Sequence, residues 1–290
     1  MSKHWVVWGI AAVLALVSIS GCRSTTSTGS AGSSNSLKIE GSNTVQPIAQ
    51  GWKDAFNKLH TDVNITVGGS GTGTGVKALI DGTADICNAS REMKPEEAAQ
   101  AKSKGFDPFP TQIALDGIAI AVNSKNPVKQ LTVEQLRNIY LGKIKDWKDV
   151  GGNPGQIVLI SRDSSSGTHD FFKDHVLKKQ EFAKGTLFQQ STTAEVQELS
   201  NNEKAIAYGG LAYFENKPEL KVLNIAKDTN SPAITPSIAT IQSREYVLSR
   251  PLFMYTRGNP TGAAAQFIEF GLSQEGQKLV ETAGYVPLKR

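Results

Sequence analysis

Cysteine is scarce in this chain, which has two such residues among 290. Cys22 ends an N-terminal targeting signal, so Cys87 has no partner within the chain and no disulfide framework is expected. We predict that Cys87 is a buried, unreactive thiol. Histidine is nearly as rare, and the four residues at positions 4, 60, 169 and 175 are too scattered for a metal site. The sequence therefore predicts neither a metal nor a cofactor.

A strong excess of one charge is also missing. The whole chain has 31 Lys and Arg residues against 27 Asp and Glu residues. Loss of residues 1–22 would remove Lys3 alone among the charged residues and leave a net charge of about +3. Because such a balance is too weak to attract a polyanion, we expect no nucleic acid partner.

The sequence motifs of common enzymes are absent. The glycine-rich stretch 69–75 does not match Gly-x-Gly-x-x-Gly, and no Gly-Lys-Ser/Thr follows it, so neither a dinucleotide site nor a P-loop is indicated. Ser70 and Ser166 lack the Gly-x-Ser-x-Gly setting of a nucleophile elbow. We therefore predict a protein that is not an enzyme.

No hydrophobic run reaches the roughly 20 residues that span a bilayer. The apolar stretch 5–19 is followed by Ser20, Gly21 and Cys22, which together are typical of a lipoprotein signal peptide over residues 1–22. An uncleaved membrane anchor is the less favoured alternative, because residues 23–36 have the small polar composition of a flexible linker. We expect lipidation at Cys22 and a location at the extracytoplasmic face of the cell membrane.

Beyond the linker, strand and helix patterns alternate, which predicts a layered α/β architecture in two lobes. Strands are predicted at 37–40, 64–67, 83–90, 113–122, 156–160 and 252–255. Helices are predicted from Pro47, over 76–80, 96–104 and 133–140, after Thr168, and over 263–282, with a capping box between Thr132 and Gln135.

Three strand-to-helix junctions share a composition of Gly, Ser, Thr and Asn. They lie at 41–44, 69–75 and 164–168. Such junctions expose unpaired backbone N–H groups at the positive end of a helix, and small hydroxyl side chains add further hydrogen bonds. Any one of them alone is better explained as a cap or a turn. If all three converge, they form a site for a small oxyanion.

Three charged residues lie beside these junctions. Arg162 directly precedes the third junction, and Arg91 follows Ser90 at the end of the strand after the second. Both guanidinium groups could reach an anion that the hydroxyls hold. Asp116 interrupts an apolar run. It could cap nearby backbone or pair with Arg91 or Arg162, and neither alternative conflicts with a role in binding.

The ordered set of these motifs resembles the phosphate-binding subunit of bacterial ABC phosphate importers, the PstS family. The motifs are Gly41-Ser42-Asn43-Thr44, Gly69-Ser70-Gly71-Thr72-Gly73, Ala84-Asp85-Ile86 with Ser90-Arg91, Leu115-Asp116-Gly117, Ile139-Tyr140-Leu141-Gly142-Lys143-Ile144 with Trp147, and Arg162 with Ser166-Gly167-Thr168. The resemblance covers residues 37–290.

The resemblance implies a type II periplasmic-binding-protein fold, in which two α/β lobes are joined by two crossover strands and close over one ligand. Lobe 1 would be residues 37–121 plus 243–290, and lobe 2 would be residues 122–242. The crossovers would lie at 123–126 and near Gln242.

The resemblance also implies a set of phosphate ligands. From lobe 1 these are Ser42, Asn43, Thr44, Ser70, Gly71, Thr72, Ser90, Arg91 and Asp116, and from lobe 2 they are Arg162, Ser166, Gly167 and Thr168. The chain departs from longer family members, which carry a carboxylate where this chain has Arg91. Asp116, where those members have glycine, looks like the compensating acid, as in the shorter branch of the family.

Asp116 would give the site its selectivity. A buried carboxylate accepts a hydrogen bond from the P–OH group of phosphate but repels sulfate, which has no proton at neutral pH. A site of this kind rejects the wrong anion by about 10⁴-fold. The expected partners are inorganic phosphate and the permease subunits of an ABC importer, and the protein is expected to be a monomer. Two alternatives stay open at this stage: a receptor for another oxyanion or a small organic phosphate, and a phosphate sensor or adhesion module that serves no permease.

Overall fold

The computed structural model describes residues 36–289. The predicted signal peptide, the lipidation site Cys22 and nearly all of the predicted linker lie outside the described residues. Within residues 36–289 no helix has both the length and the apolar character needed to cross a membrane.

Strands and helices alternate along the described chain. The strands are β1 Ser36–Gly41, β2 Asn64–Val67, β3 Ile86–Ala89, β4 Pro108–Asn123, β5 Gln130–Thr132, β6 Val158–Arg162, β7 Leu187–Gln189, β8 Ala205–Gly210, β9 Leu220–Val222, β10 Asn224–Ala226, β11 Ala233–Ile234 and β12 Ser249–Arg257. The helices are α1 Gln46–Leu59, α2 Thr72–Ile80, α3 Pro95–Ser103, α4 Val133–Tyr140, α5 Gly167–His175, α6 Thr192–Asn201, α7 Ile238–Gln242, α8 Gly262–Leu272 and α9 Gln274–Thr282. Short 3-10 turns lie at Trp147–Val150 and Leu211–Tyr213.

One mixed sheet runs through both halves of the molecule in the order β2-β1-β3-β12-β4-β8-β6-β7, and β9 also pairs with β4. The long strand β4 changes partner along its length. It pairs antiparallel with β12 up to Gly117 and with β8 from Ile118 onward. A small second sheet has the order β11-β10-β5.

Separate hydrophobic cores lie on the two sides of this change of partner, and lobe 1 also has a smaller buried cluster where α2 and α3 pack on β3. The core of lobe 1 packs α1, α8 and α9 on β1 and β3, and includes Trp52, Phe56 and Phe267. The core of lobe 2 contains Tyr140 and Tyr208 among its aromatic side chains. We use lobe 1 for β1–β3, β12, α1–α3, α8 and α9, and lobe 2 for β5–β11 and α4–α7. The α/β class and the two-lobed arrangement predicted from the sequence are confirmed.

The crossing points between the lobes are a strand and a short return segment. The chain leaves lobe 1 along β4 and returns between α7 and β12, where Tyr246 donates a hydrogen bond from its hydroxyl to the carbonyl of Ile118 at 2.7 Å. The residue limits of the two lobes at 121/122 and 242/243 stay a prediction.

The helix predicted over 263–282 is wrong as a single element. The chain forms α8 and α9, which are separated at Ser273. Ser273 has an extended backbone, with φ −67° and ψ 170°, and its side chain accepts a hydrogen bond from the N–H of Gly276. A serine hydroxyl that caps the next helix competes with continuation of the previous one. The apolar spacing on both sides of Ser273 concealed this break.

Two other local predictions are confirmed. The capping box at the start of α4 is present, because Gln135 N–H bonds to the hydroxyl of Thr132 and the Gln135 side chain bonds back to the N–H of Thr132. Cys87 is fully buried in β3, and burial raises the pKa of its thiol well above the usual range. Burial is the confirmed part of this prediction, and the low reactivity of the thiol stays a prediction.

Candidate functional site

The three polar junctions predicted from the sequence meet at the interface between the lobes. Gly71 donates its N–H to the carbonyl of Gly41 at 2.8 Å, which joins the first two junctions. Gly73 donates to the carbonyl of Ser165 at 2.9 Å, and the Ser165 hydroxyl donates to the carbonyl of Ser70 at 3.3 Å. The second junction, in lobe 1, thus contacts the third, in lobe 2.

Four buried hydroxyl residues form the centre of this interface, and we call them the hydroxyl cluster: Thr44, Thr72, Ser90 and Thr168. The hydroxyl oxygens of Thr44 and Thr168 lie 3.1 Å apart across the lobes. Those of Thr72 and Ser90 lie 3.3 Å apart within lobe 1. The cluster therefore presents hydroxyl donors and acceptors from both lobes at one point.

Two helix N-termini point their first residues at this cluster. Helix α5 begins at Gly167, and the Ser166 hydroxyl caps it by accepting from the N–H groups of Thr168 and His169. A Cβ atom added to Gly167 would collide with the hydroxyl oxygens of Thr72 and Ser90. Helix α2 starts at Thr72 itself. The close approach of two helix starts concentrates positive potential where the hydroxyls meet.

Beneath the hydroxyl cluster lies a buried ion pair between Asp116 and Arg250. Arg250 donates to the Oδ2 atom of Asp116 from Nη2 at 2.8 Å and from Nε at 3.0 Å. The same guanidinium donates to the Thr168 hydroxyl at 3.0 Å, to the Ser90 carbonyl at 2.9 Å and to the Thr44 hydroxyl at 3.4 Å. One arginine therefore links the acid to hydroxyl groups of both lobes.

The sequence reasoning missed Arg250 and named the wrong partners for Asp116. Neither Arg91 nor Arg162 pairs with this carboxylate, and Arg250 does so because it lies directly opposite Asp116 in the β4–β12 register. The available signal was an unpaired acid in an apolar strand, which requires a cation on a neighbouring strand. Since 134 residues separate the two positions, only the strand order could identify that neighbour.

The protonation of Asp116 reflects two opposing influences. Burial raises the pKa of its carboxyl, while the charge of Arg250 and the backbone N–H groups of Gly117 and Leu211 act to lower it. Leu211 begins the turn after β8, so the acid also contacts lobe 2. The carboxylate has the lone pairs to accept a further hydrogen bond from a protonated ligand.

Arg162 is held at the end of β6 by its own lobe. Its guanidinium donates to the carbonyls of Gln189 and Gln190 at 3.2 and 2.8 Å and to the hydroxyl of Thr192 at 3.1 Å. Glu195 lies fully buried nearby, and neither of its carboxyl oxygens has a hydrogen-bond partner among the described residues. Burial raises the pKa of Glu195 far above its usual range, although the charge of Arg162 opposes the shift.

Arg91 directs its guanidinium to carboxylates. It pairs with Glu97 through two bonds of 2.8 Å each and with Asp170 through one bond of 2.8 Å. A further bond of 2.9 Å joins it to the carbonyl of Glu92. Four of its five N–H groups are thus committed. A direct contact between Arg91 and an anion in the hydroxyl cluster stays a prediction.

The remaining predicted ligands lie at the edge of the cluster. Ser42 is buried at the start of the first junction, whereas Ser70 is exposed and its hydroxyl donates to Glu40 at 3.4 Å. Asn43 bridges the lobes, because its Oδ1 accepts from the N–H of Thr192 at 3.1 Å and its carbonyl accepts from the Tyr213 hydroxyl at 2.8 Å. The role of each predicted residue as a ligand stays a prediction.

Comparison with known proteins places this architecture in a family. The family model for the PBP superfamily domain matches residues 26–275. The phosphate-binding protein PstS of Staphylococcus epidermidis is 38% identical over 293 residues, which covers 98% of this chain and 89% of that relative.

Solved structures agree with the sequence comparison. A substrate-binding protein assigned to a phosphate ABC transporter of Clostridium perfringens, with bound phosphate, has 32% sequence identity and a TM-score of 0.79, and the match covers 88% of this chain and all of that one. An ABC-type phosphate transport receptor from Vibrio cholerae has 28% identity and a TM-score of 0.71, with coverage of 87% and 100%. The predicted type II periplasmic-binding-protein fold is confirmed.

Proposed function

Because the chain belongs to the PstS family of phosphate-binding proteins within the PBP superfamily, we propose that it binds inorganic phosphate between its two lobes and delivers it to an ABC permease for import. The observation that carries this proposal is the buried Asp116–Arg250 pair beneath a hydroxyl cluster to which both lobes contribute. Proteins of this family are transport receptors, and the chain is not an enzyme.

The hydroxyl cluster matches the hydrogen-bonding needs of a tetrahedral oxyanion. Hydroxyls of Thr44 and Thr72 come from lobe 1 and that of Thr168 from lobe 2, so an anion among them is bonded from both sides. The two helix starts add backbone N–H groups that favour negative charge. Hydrogen bonds to a charged group contribute about 1.5 to 3 kcal/mol each, so several of them support micromolar or tighter binding without covalent chemistry.

Asp116 supplies selectivity for an anion that carries a proton. Its carboxylate accepts a hydrogen bond from the P–OH group of either phosphate species present at neutral pH. Burial raises the pKa of the Asp116 carboxyl, while the charge of Arg250 opposes that shift and its two hydrogen bonds hold the carboxyl in a fixed orientation. Sulfate has no proton to donate and would leave this acid facing a negatively charged oxygen, which costs binding free energy.

The proposal includes a lipid anchor for the receptor and a location outside the cytoplasm. Lipid attached to Cys22 would tether the receptor at the extracytoplasmic face of the cell membrane, with residues 23–36 as a spacer. A tethered monomer would then meet the permease subunits at a high effective concentration. The sequence signal over residues 1–22 supports this anchoring.

Calorimetric titration of the purified protein, stripped of bound phosphate, tests the proposal. We expect one-to-one binding of phosphate with a Kd at or below the micromolar range, and no heat from sulfate at the same concentration. Asp116→Asn should weaken phosphate binding by about 100-fold or more and reduce the preference over sulfate. Asp149→Asn, a change in an exposed turn of lobe 2, is the matched control and should behave as the wild type.

Absence of phosphate binding by the folded, stripped protein would overturn the proposal. Binding of sulfate with equal affinity would indicate a receptor for oxyanions in general. Growth of a deletion strain on limiting phosphate separates delivery from sensing, since a receptor that feeds a permease should restore phosphate uptake when it is returned.

A further inference from the structure

A cluster of charged side chains spans the two lobes beside the proposed phosphate site. Asp170 lies on α5 of lobe 2. Its Oδ2 atom accepts from Arg91 Nε at 2.8 Å and lies 2.9 Å from Lys94 Nζ. Arg91 follows β3 and Lys94 precedes α3, so both cations belong to lobe 1. These two contacts exist only while the lobes are together.

The cationic half of the cluster is assembled within lobe 1. Glu97 binds both terminal nitrogens of Arg91 at 2.8 Å and also accepts from the backbone N–H of Lys94 at 2.8 Å. Arg91 therefore stays paired with Glu97 whether or not Asp170 is in reach. The guanidinium is held in position with its Nε group pointing at lobe 2, and little side-chain freedom is lost when Asp170 arrives.

Burial makes the contacts across the lobes stronger than a typical surface ion pair. The Arg91 and Asp170 side chains are 8% and 11% exposed, while that of Lys94 is 36% exposed. Charges shielded from water interact in a lower effective dielectric and are screened less by salt. Burial acts against the charged form of Asp170, yet hydrogen bonds from His169 and Lys94 and the charge of Arg91 lower the pKa of Asp170 to about 2.

The cluster is separate from the hydroxyl cluster but is joined to it through the backbone. Asp170 is two residues beyond Thr168, and Arg91 is the residue after Ser90. Each side of the charged cluster is thus fixed to one side of the proposed phosphate site. A change in the distance between Asp170 and Arg91 must accompany any separation of Thr168 from Ser90.

We propose that Asp170 is a closure residue, whose ion pairs with Arg91 and Lys94 hold the two lobes together over phosphate and slow its release. The proposal rests on the proposed function. The ion pairs add to the stability of the closed arrangement, so they shift the balance between open and closed forms. Since phosphate enters the open form and leaves through it, the ion pairs affect dissociation more than association.

Stopped-flow kinetics on the full chain, purified in detergent, tests this role with phosphate as the ligand. Asp170→Asn should raise the dissociation rate constant about tenfold, which lies within the roughly 5- to 150-fold range of coupled equilibria. The association rate constant should change less than about twofold. Lys94→Gln should raise the dissociation rate constant less than Asp170→Asn does, because the Lys94 side chain is more exposed. The double variant should resemble Asp170→Asn, which demonstrates coupling between the two residues.

A matched control lies elsewhere in lobe 1. Lys102 and Asp107 form an exposed ion pair at 3.3 Å within that lobe, so Lys102→Gln and Asp107→Asn should leave both rate constants unchanged. Asp170→Glu keeps the charge and should recover part of the slow dissociation. A residue with only a structural role would lower the melting temperature without a selective change in the dissociation rate constant.

Small-angle X-ray scattering gives a readout that needs no ligand. Phosphate-free Asp170→Asn should have a larger radius of gyration than the phosphate-free wild type, because more of the population is open. Equal radii together with an unchanged dissociation rate constant would overturn the closure role. Failure of the wild type to bind phosphate would instead overturn the proposed function, and the scattering comparison would still decide the role of Asp170.

Discussion

Asp116 and Arg250 face each other across the β4–β12 pair and form an ion pair of 2.8 Å in which the two side chains are 2% and 1% exposed. A charged pair at such depth is costly to form, and removal of one partner leaves the other without compensation. Arg250 also donates hydrogen bonds to the hydroxyls of Thr44 and Thr168, so the ion pair fixes the positions of residues in the hydroxyl cluster.

Loss of the Arg250 charge should damage both stability and binding. Arg250→Met leaves Asp116 buried and unpaired, so we expect a loss of about 3 to 5 kcal/mol in the free energy of unfolding. The double variant Arg250→Met with Asp116→Leu should recover most of that stability but none of the phosphate affinity. Urea unfolding and calorimetry measure the two effects, and recovery of binding in the double variant would contradict the role of the pair.

Gly167 should be required for contact between the lobes. Gly167→Ala places a methyl group against the hydroxyls of Thr72 and Ser90, so the two lobes cannot approach each other as closely as in the wild type. We expect phosphate affinity to fall by about 100-fold, while the melting temperature changes little because the clash is relieved by opening. Gly51→Ala is the control, since its methyl group meets no atom within 4 Å and an alanine favours the helix.

Asp170 should contribute to stability above its lowered pKa. Its carboxyl titrates at about 2 in the folded protein, against 3.8 for the unfolded chain. The stabilisation is therefore fully present above about pH 4 and is lost as the pH falls through 2. The difference in unfolding free energy between wild type and Asp170→Asn should shrink by about 1 to 2 kcal/mol from pH 6 to pH 2.5, which urea unfolding measures. If the difference in unfolding free energy were the same at both pH values, the lowered pKa of Asp170 would be contradicted.

Glu195 should have the opposite dependence on pH. Burial raises the pKa of its carboxyl far above the unfolded value of 4.5, so its contribution is fully present below that value and is lost as the pH rises through the folded pKa. Glu195→Gln keeps the shape and removes the charge, so it should raise the melting temperature at pH 8 more than at pH 5. Glu198→Gln, the same chemical change on the same helix, is the control.

The sequence was sufficient for features that depend on local spacing. Apolar residues at helical intervals located α1, and the hydroxyl of Thr132 located the start of α4. The three polar junctions were recognised because glycine and hydroxyl residues directly precede helices. Local spacing failed at Ser273, where a capping residue was hidden within a continuous apolar pattern.

The features that the sequence could not provide depend on the order of strands. Arg250 lies in β12 just before the apolar residues 252–255 that predicted this strand, and nothing around it in the sequence distinguishes it from a surface arginine. Its position opposite Asp116 follows from the insertion of β12 beside β4, a long-range pairing that no local pattern encodes. In the same way, the ion pair between Arg91 and Asp170 depends on how α5 meets lobe 1. The prediction that Arg91 contacts the anion used only its position after Ser90 in the sequence.

The position of β12 between β3 and β4 also determines when the protein can fold. Without residues 249–257, the two neighbouring strands would each have an open edge, and the sheet of lobe 1 would be divided. A chain emerging from the ribosome or from a translocation channel therefore cannot complete its N-terminal lobe until nearly the whole sequence has emerged. Such late assembly delays compact structure in lobe 1 until residues 249–257 are available to pair.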